Sequence, residues 1–258
     1  MRGLEGKVAL VAGAAEGNIG GETAVRLAEE GMSVVVADLN GTNAQRVVDK
    51  IIAGGGKAEA RSFDISDESS YEELIKFTVE HFGALHGLYN VAADLSAQNM
   101  GRDSENDVTT VPLDVWHHTI DVTLTGYMYG IRHALPVMLD QRTGSIVNTM
   151  SSAVWMGEGV RVAYQAAKSG LVGLTRHTAT VGGKQGVRCN LLSPGVVVTP
   201  AMREATDEKF RSEILAMVRS PRLGDPADIA AMVAFLFSDD GSYVNGQSIL
   251  VDGGASFT

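Results

Sequence analysis

Short apolar runs alternate with longer amphipathic stretches along the whole chain, and this alternation restricts the fold more than any single motif. The runs at residues 8–12, 33–37, 58–63, 85–91, 145–149, 187–192 and 248–251 read as strands. Residues 22–30, 43–53, 69–81, 115–139, 163–181 and 226–237 carry helical spacing. Several strands are apolar at nearly every position, so both faces need cover, as in parallel sheets built from βαβ units. The pattern predicts an α/β fold with a doubly wound parallel sheet of about seven strands, flanked by helices on both faces. Asp67 and Asp225 are expected helix starts, the second with Pro226 in the first turn, and Gly54 to Gly56 end the second helix. No linker or repeat divides the chain, so residues 1–258 are expected to form a single domain.

Two segments fit no regular element. Residues 94–112 are polar, and residues 200–222 are expected to be only partly helical. Both follow the carboxyl ends of strands, the edge at which open α/β sheets bind ligands, and both are expected to be substrate-site loops.

Composition narrows the class. The formal charge of -10, with 21 scattered basic residues, excludes a basic surface for nucleic acid or anionic membrane. Cys189 is the single cysteine, which rules out an intramolecular disulfide or a cysteine-based metal cluster. No metal site is expected. The amino terminus lacks the apolar core of a secretory signal, and no apolar segment has membrane-spanning length; a cytoplasmic setting is expected.

The first strand runs into Gly13-Ala14-Ala15-Glu16-Gly17-Asn18-Ile19-Gly20, which opens the next helix. Glycines there permit a tight turn and let backbone N–H groups approach a pyrophosphate at the helix amino end. Asp38 ends the second strand, where a carboxylate accepts hydrogen bonds from the adenosine ribose and repels a 2′-phosphate. Lys and Arg are absent between Met32 and Gln45. The expected cofactor is NAD.

Tyr164 and Lys168 stand four residues apart in Tyr164-Gln165-Ala166-Ala167-Lys168, on one face of an expected helix. A free tyrosine titrates near pH ~10, so proton transfer at neutrality requires about three pKa units, or roughly 4 kcal/mol, of preferential stabilisation of the phenolate. An adjacent ammonium acts in that direction.

From Gly6 to Gly254 the chain resembles the short-chain dehydrogenase/reductase family, in its compact single-domain form. The resemblance rests on the glycine turn, Asp64-Ile65, Asn90, Ser152, Tyr164, Lys168, Asn190, Pro194-Gly195, Thr199 and the terminal Asp252-Gly253-Gly254, all in family order. It implies a Rossmann-type sheet, hydride transfer between a nicotinamide and a secondary alcohol or ketone, and a homotetramer or homodimer. It places Gly13, Asn18, Ile19, Gly20, Asp38 and Leu39 at the cofactor, Asp64 and Ile65 at adenine, and Asn90, Val91 and Ala92 beside the ribose. Pro194, Gly195, Val197 and Thr199 fall at the nicotinamide end, with Thr199 on the carboxamide. Tyr164 is implied as the acid/base group, Lys168 as its pKa-lowering and ribose-holding partner, and Ser152 as the donor to the substrate oxygen.

Three departures accompany the resemblance. Ser152 stands one residue closer to Tyr164 than the usual interval, which Ser151 has; a shortened loop over residues 155–162 accounts for this, and Ser152 is the expected serine. Thr123 occupies the place of an asparagine that helps relay protons from the tyrosine and lysine. Asn18 lengthens the glycine turn, and Asn90-Val91-Ala92-Ala93 replaces Asn-Asn-Ala-Gly. Leu95, Met100, Val154, Trp155, Met156, Met202 and Met217 are candidate apolar walls, which points to a cyclic, aryl or steroid-like substrate. The alternatives are a 3-oxoacyl reductase acting on a carrier-protein or CoA thioester and a non-catalytic NAD-binding sensor. Asp38 and the acidic charge oppose the first, and the intact Ser152, Tyr164 and Lys168 oppose the second.

Overall fold

The computed structural model describes residues 1–257 of the 258. Its centre is a seven-stranded sheet in the order β3-β2-β1-β4-β5-β6-β7, parallel throughout. The strands are β1 (Val8–Ala12), β2 (Ser33–Asp38), β3 (Lys57–Ser62), β4 (Gly87–Asn90), β5 (Gly144–Thr149), β6 (Val187–Pro194) and β7 (Ser248–Val251). The order reverses between β1 and β4, and this switch point opens a crevice at the carboxyl edge.

The expected doubly wound sheet is present, and the apolar runs sit where its centre demands them. Every residue of β1, β4 and β5 is buried. One face is covered by α1 (Ile19–Glu29), α2 (Gly41–Ala53) and α9 (Pro226–Phe237), which pack Leu27, Val48 and Val233 against Val11 and Val36. On the other lie α3 (Glu68–Phe82), α5 (Gly126–Gln141) and α6 (Val162–Gly182), with Leu74, Ile131 and Leu171 against Leu88 and Ile146. Truncating a side chain such as Leu88 to Ala would cost about 2–5 kcal/mol through lost burial and the cavity left behind.

Caps set several helix ends. Asp67 accepts from Ser69 N–H at the start of α3, and Asp225 and Asp228 form a capping box with Pro226 in the first turn of α9. The expected strand at 85–91 is shorter, because the Gln141 side chain accepts from Leu85 N–H and donates to its carbonyl, replacing a neighbouring strand there. The expected helix at 115–139 begins earlier as α4 (Leu113–Ile120), passes through a π turn at Asp121–Thr125, and continues as α5 with Pro136 inside. The 94–112 segment is more regular than expected, with a π turn at Ala97–Gly101 and a single helical turn at Arg102–Ser104. In the 200–222 segment lie α7 (Pro200–Ala205) and α8 (Glu208–Met217). Among the described residues no helix is long and apolar enough to cross a membrane.

Cys189 lies fully buried in β6, where Asn148 Nδ2 approaches its sulfur at 3.6 Å. Burial pushes its thiol up to about 12, against weaker opposing bonds from Thr175, Asn148 and Thr178.

Candidate active site

The loop after β1 hangs from the end of β2, with Gly13 N–H and Ala14 N–H donating to the Ala37 carbonyl at 2.8 and 2.9 Å. Gly13 adopts φ +107°, and a Cβ there would meet Ala92 N at 2.5 Å. At Gly20 a Cβ would stand 2.3 Å from the Gly13 carbonyl oxygen. Only glycine permits these approaches. Asn18 accommodates the extra residue of the turn. Its Oδ1 accepts from Ala15 N–H (3.2 Å) and Gly21 N–H (2.7 Å), while its Nδ2 donates to the Gly13 carbonyl (3.1 Å). The same side chain caps α1, whose amino end faces the crevice and suits a phosphate.

A cleft of about 430 Å³ follows from this loop. Gly13, Asn18, Ile19, Gly20, Asp38, Leu39, Asp64, Ile65, Val91, Ala92 and Thr199 all line it. Asp94 and His118 join them, paired through His118 Nε2 and Asp94 Oδ2 at 2.9 Å. Three carboxylates and no lysine or arginine line this space. Burial raises the Asp38 carboxyl above its ordinary range, and a bond from Asn40 N–H opposes it. The Asp94 carboxyl is lowered: burial pulls it up, but bonds from Ser96 and His118 outweigh that effect.

Asn90 does not line the cleft. It is fully buried, with its Oδ1 accepting from the Tyr71 hydroxyl and its Nδ2 donating to Asn148 Oδ1 at 2.9 Å. Asn148 continues the chain to Thr175 Oγ1 at 3.0 Å. Buried amides need partners, and these amides find each other across β4 and β5. Pro194, Gly195 and Val197 are absent from the cleft lining; Gly195 N–H donates to the Val251 carbonyl at 3.0 Å, and Val197 bridges to Gly224.

Tyr164 and Lys168 share one face of α6. The Lys168 Nζ is buried 5.6 Å from the Tyr164 ring centroid and donates to the Thr149 carbonyl at 2.6 Å and to the Tyr127 hydroxyl at 3.3 Å. Tyr127 in turn donates to the Ala92 carbonyl at 3.0 Å, in the cleft wall. Tyr164 keeps part of its surface open. Burial raises its pKa, while a hydrogen bond with Ser151 and the Arg161 charge lower it. Ser152 does not take the expected position. It is buried at the start of the short helix Ala153–Met156, its N–H donating to the Pro194 carbonyl at 2.9 Å. The strand ends at Thr149, so strict alternation no longer governs the two serines, and Ser151 is the one that meets the phenol.

Comparison with known proteins agrees with this geometry. A family profile described as enoyl-(acyl carrier protein) reductase matches residues 13–256. Cyclohexanol dehydrogenase of Acinetobacter sp. (strain SE19) is 38% identical, covering 96% of this chain and 94% of that protein. The 7alpha-hydroxysteroid dehydrogenase of Bacteroides fragilis is 34% identical over 98% of this chain and 96% of its own. A 7alpha-hydroxysteroid dehydrogenase solved with NADH and 7-oxo glycochenodeoxycholic acid superposes with a TM-score of 0.89 at 29% identity, covering 97% and 94% of the two chains. The chain belongs to the short-chain dehydrogenase/reductase family. It is an oxidoreductase of a nicotinamide-dependent family, and the amino end of α1 at the cleft suits the diphosphate of such a cofactor.

Within this family frame, several site residues carry no sequence signal of their own. Asp103 lies 1% exposed under the amino end of α6, accepting from Ala163 N–H (3.2 Å) and Tyr164 N–H (2.9 Å). It satisfies orphan helix donors from a loop about sixty residues away, a distance that no local capping pattern records. Tyr127 stands one helical turn beyond Thr123 and reaches the lysine, whereas Thr123 is buried in the π turn. Such turns shift the register of a helix and recur at functional sites.

Proposed function

We propose that the chain is an NAD-linked dehydrogenase that oxidises a secondary alcohol, or reduces the matching ketone, on a bulky apolar body of cyclic, aryl or steroid-like kind. The observation that carries this is the partly open Tyr164 on one helix face with buried Lys168, which is joined to the cofactor cleft through Tyr127 and the Ala92 carbonyl. Tyr164 takes the hydroxyl proton in oxidation and returns it in reduction. Ser151, in place of Ser152, donates to the substrate oxygen and stabilises charge developing there. Lys168 is anchored on two protein oxygens, leaving its remaining N–H for a ribose hydroxyl. When bound, the nicotinamide supplies the hydride acceptor or donor.

NAD is favoured over NADP because Asp38 closes the β2 end of a cleft lined by carboxylates and by no lysine or arginine, where a 2′-phosphate would be repelled. Asp64 and Ile65 suit the adenine. Thr199 suits the carboxamide end, with Val197, Pro194 and Gly195 shaping the backbone behind it. The apolar substrate class follows from Trp155 and Met156, 37% and 45% exposed on the short helix just after Ser151, with Leu95 exposed at the cleft edge. The ring alcohols in the names of the related cyclohexanol and hydroxysteroid dehydrogenases support it. A reductase serving an acidic acyl carrier fits less well with a charge of -10. A dimer or tetramer through α4, α5 and α6 accompanies this reading.

The test is an NAD-reduction screen over cyclic, aryl and steroid alcohols, with Tyr164→Phe as its control. Tyr164→Phe retains the ring packing and should abolish turnover while keeping NAD affinity. Near-native turnover in that variant would remove Tyr164 from the mechanism.

A further inference from the structure

Tyr164 has two cationic side chains near its ring, one of them on its own helix face. The Arg161 guanidinium carbon lies 5.6 Å from the Tyr164 ring centroid, the same distance as the Lys168 ammonium nitrogen. Arg161 holds a left-handed backbone with φ +58°, a conformation that residues with a Cβ rarely adopt. Its surroundings fix it there. Arg161 N–H donates to the Asp103 carbonyl at 3.0 Å, and the Arg161 carbonyl accepts from Gln165 N–H at 3.0 Å. The Gln165 amide donates to the carbonyls of Val160 (2.8 Å) and Glu158 (3.1 Å) and accepts from Glu158 N–H (3.3 Å). A strained residue this heavily determined, next to a reacting group, points to a role beyond closing a loop. The guanidinium is also held from the front: Arg161 Nε donates to Glu158 Oε2 at 2.7 Å, and a second contact joins Nη2 to Oε1.

We propose that Arg161 and Glu158 form an opposed charge pair that sets how readily Tyr164 gives up its proton, the guanidinium favouring the phenolate and the carboxylate restraining it. This rests on Tyr164 being the proton-transfer group. The other groups facing the phenol are Ser151 after β5, Lys168 on α6 and Tyr127 on α5, while the Asp103 carboxylate bonds the Tyr164 N–H from below. Arg161 and Glu158 act on the phenol with opposite sign, against the burial that raises it. Lys168 is buried and bonded to Thr149 and Tyr127, whereas the Arg161 and Glu158 side chains are partly exposed.

The test is the pH dependence of kcat for alcohol oxidation in Arg161→Gln, Arg161→Lys and Glu158→Gln, with phenolate absorbance titrated in parallel in each protein and its Tyr164→Phe counterpart. Arg161→Gln should move the rising, acid-side limb to higher pH, and Glu158→Gln should move it lower, each by about half to one pH unit. Arg161→Lys keeps the charge and should restore most of the wild-type profile. A loop that merely supports the fold would lower kcat in both variants without moving either limb. Limbs that stay put, or that move in the same direction, overturn the charge pair while leaving Tyr164 in place. Turnover surviving in Tyr164→Phe overturns the acid/base assignment itself, and the charge pair with it.

Discussion

The Lys168 ammonium nitrogen lies 3.3 Å from the phenolic oxygen of Tyr127, a neutral partner where a buried cation would ordinarily meet a carboxylate. Burial brings Lys168 down to about 7, within reach of physiological titration. The cost of burying this charge falls on the free enzyme, and its benefit lies in holding a cofactor and a phenol.

That arrangement predicts a pH signature in stability. A lysine depressed in the folded state carries its full burial penalty below about pH 7, where both states are protonated. Above that pH the folded protein sheds the proton before the unfolded chain does. Cofactor-free wild type should therefore gain stability relative to Lys168→Met as pH rises from neutrality, by up to about 1.4 kcal/mol per unit. Thermal unfolding at stepped pH measures it, and parallel profiles for the two proteins would remove the effect.

Tyr127 should matter more than Thr123. Tyr127→Phe deletes the acceptor of Lys168 and the donor to Ala92, which should cost about 1–3 kcal/mol of stability and lower turnover. Thr123→Ala should be milder on both counts. Unfolding midpoints with kcat at saturating NAD decide between them; a larger loss at Thr123 would return the proton route to that threonine.

The two serines separate cleanly. Ser151→Ala removes the hydroxyl beside Tyr164 and should lower kcat by about 10²-fold, the usual scale for a lost oxyanion donor. Ser152→Ala touches a buried turn and should act mainly on stability. Steady-state kinetics of both variants, with equal NAD binding verified, test the assignment, and a reversed order of damage would restore Ser152.

Cofactor choice should turn on Asp38. Replacing Asp38 by Ser together with Leu39→Arg removes the repelling carboxylate and supplies a cation on a side chain already 72% exposed at the cleft edge. The ratio of kcat/KM for NAD over NADP should fall by at least an order of magnitude. Wild type preferring NADP would contradict the reading outright.

The layered fold was legible because burial on both sheet faces leaves apolar runs in the chain, and β1 and β7 lie where those runs predict them. The glycine loop was legible for a similar reason, since the backbone contact at Gly13 excludes every other side chain. The fine placement of Ser151 and Ser152 depends on where β5 stops and the Ala153–Met156 turn begins, which alternation does not encode. The buried network of Asn90 was not legible, because an amide at a strand end serves such a network as readily as a ligand. Asp103 and Tyr127 reach the site across long separations, as products of packing that leave no local pattern, and the place of Arg161 depends on a left-handed turn.

Cys189 gives this molecule an internal clock. Its sulfur sits in the middle of β6 with its thiol pushed up to about 12, so thiol reagents find neither access nor thiolate in the native protein. Labelling must wait until the sheet opens around it, and the labelling rate of the unmodified chain therefore counts those openings. With no second thiol in the sequence, every event recorded in this way comes from the same point in the fold.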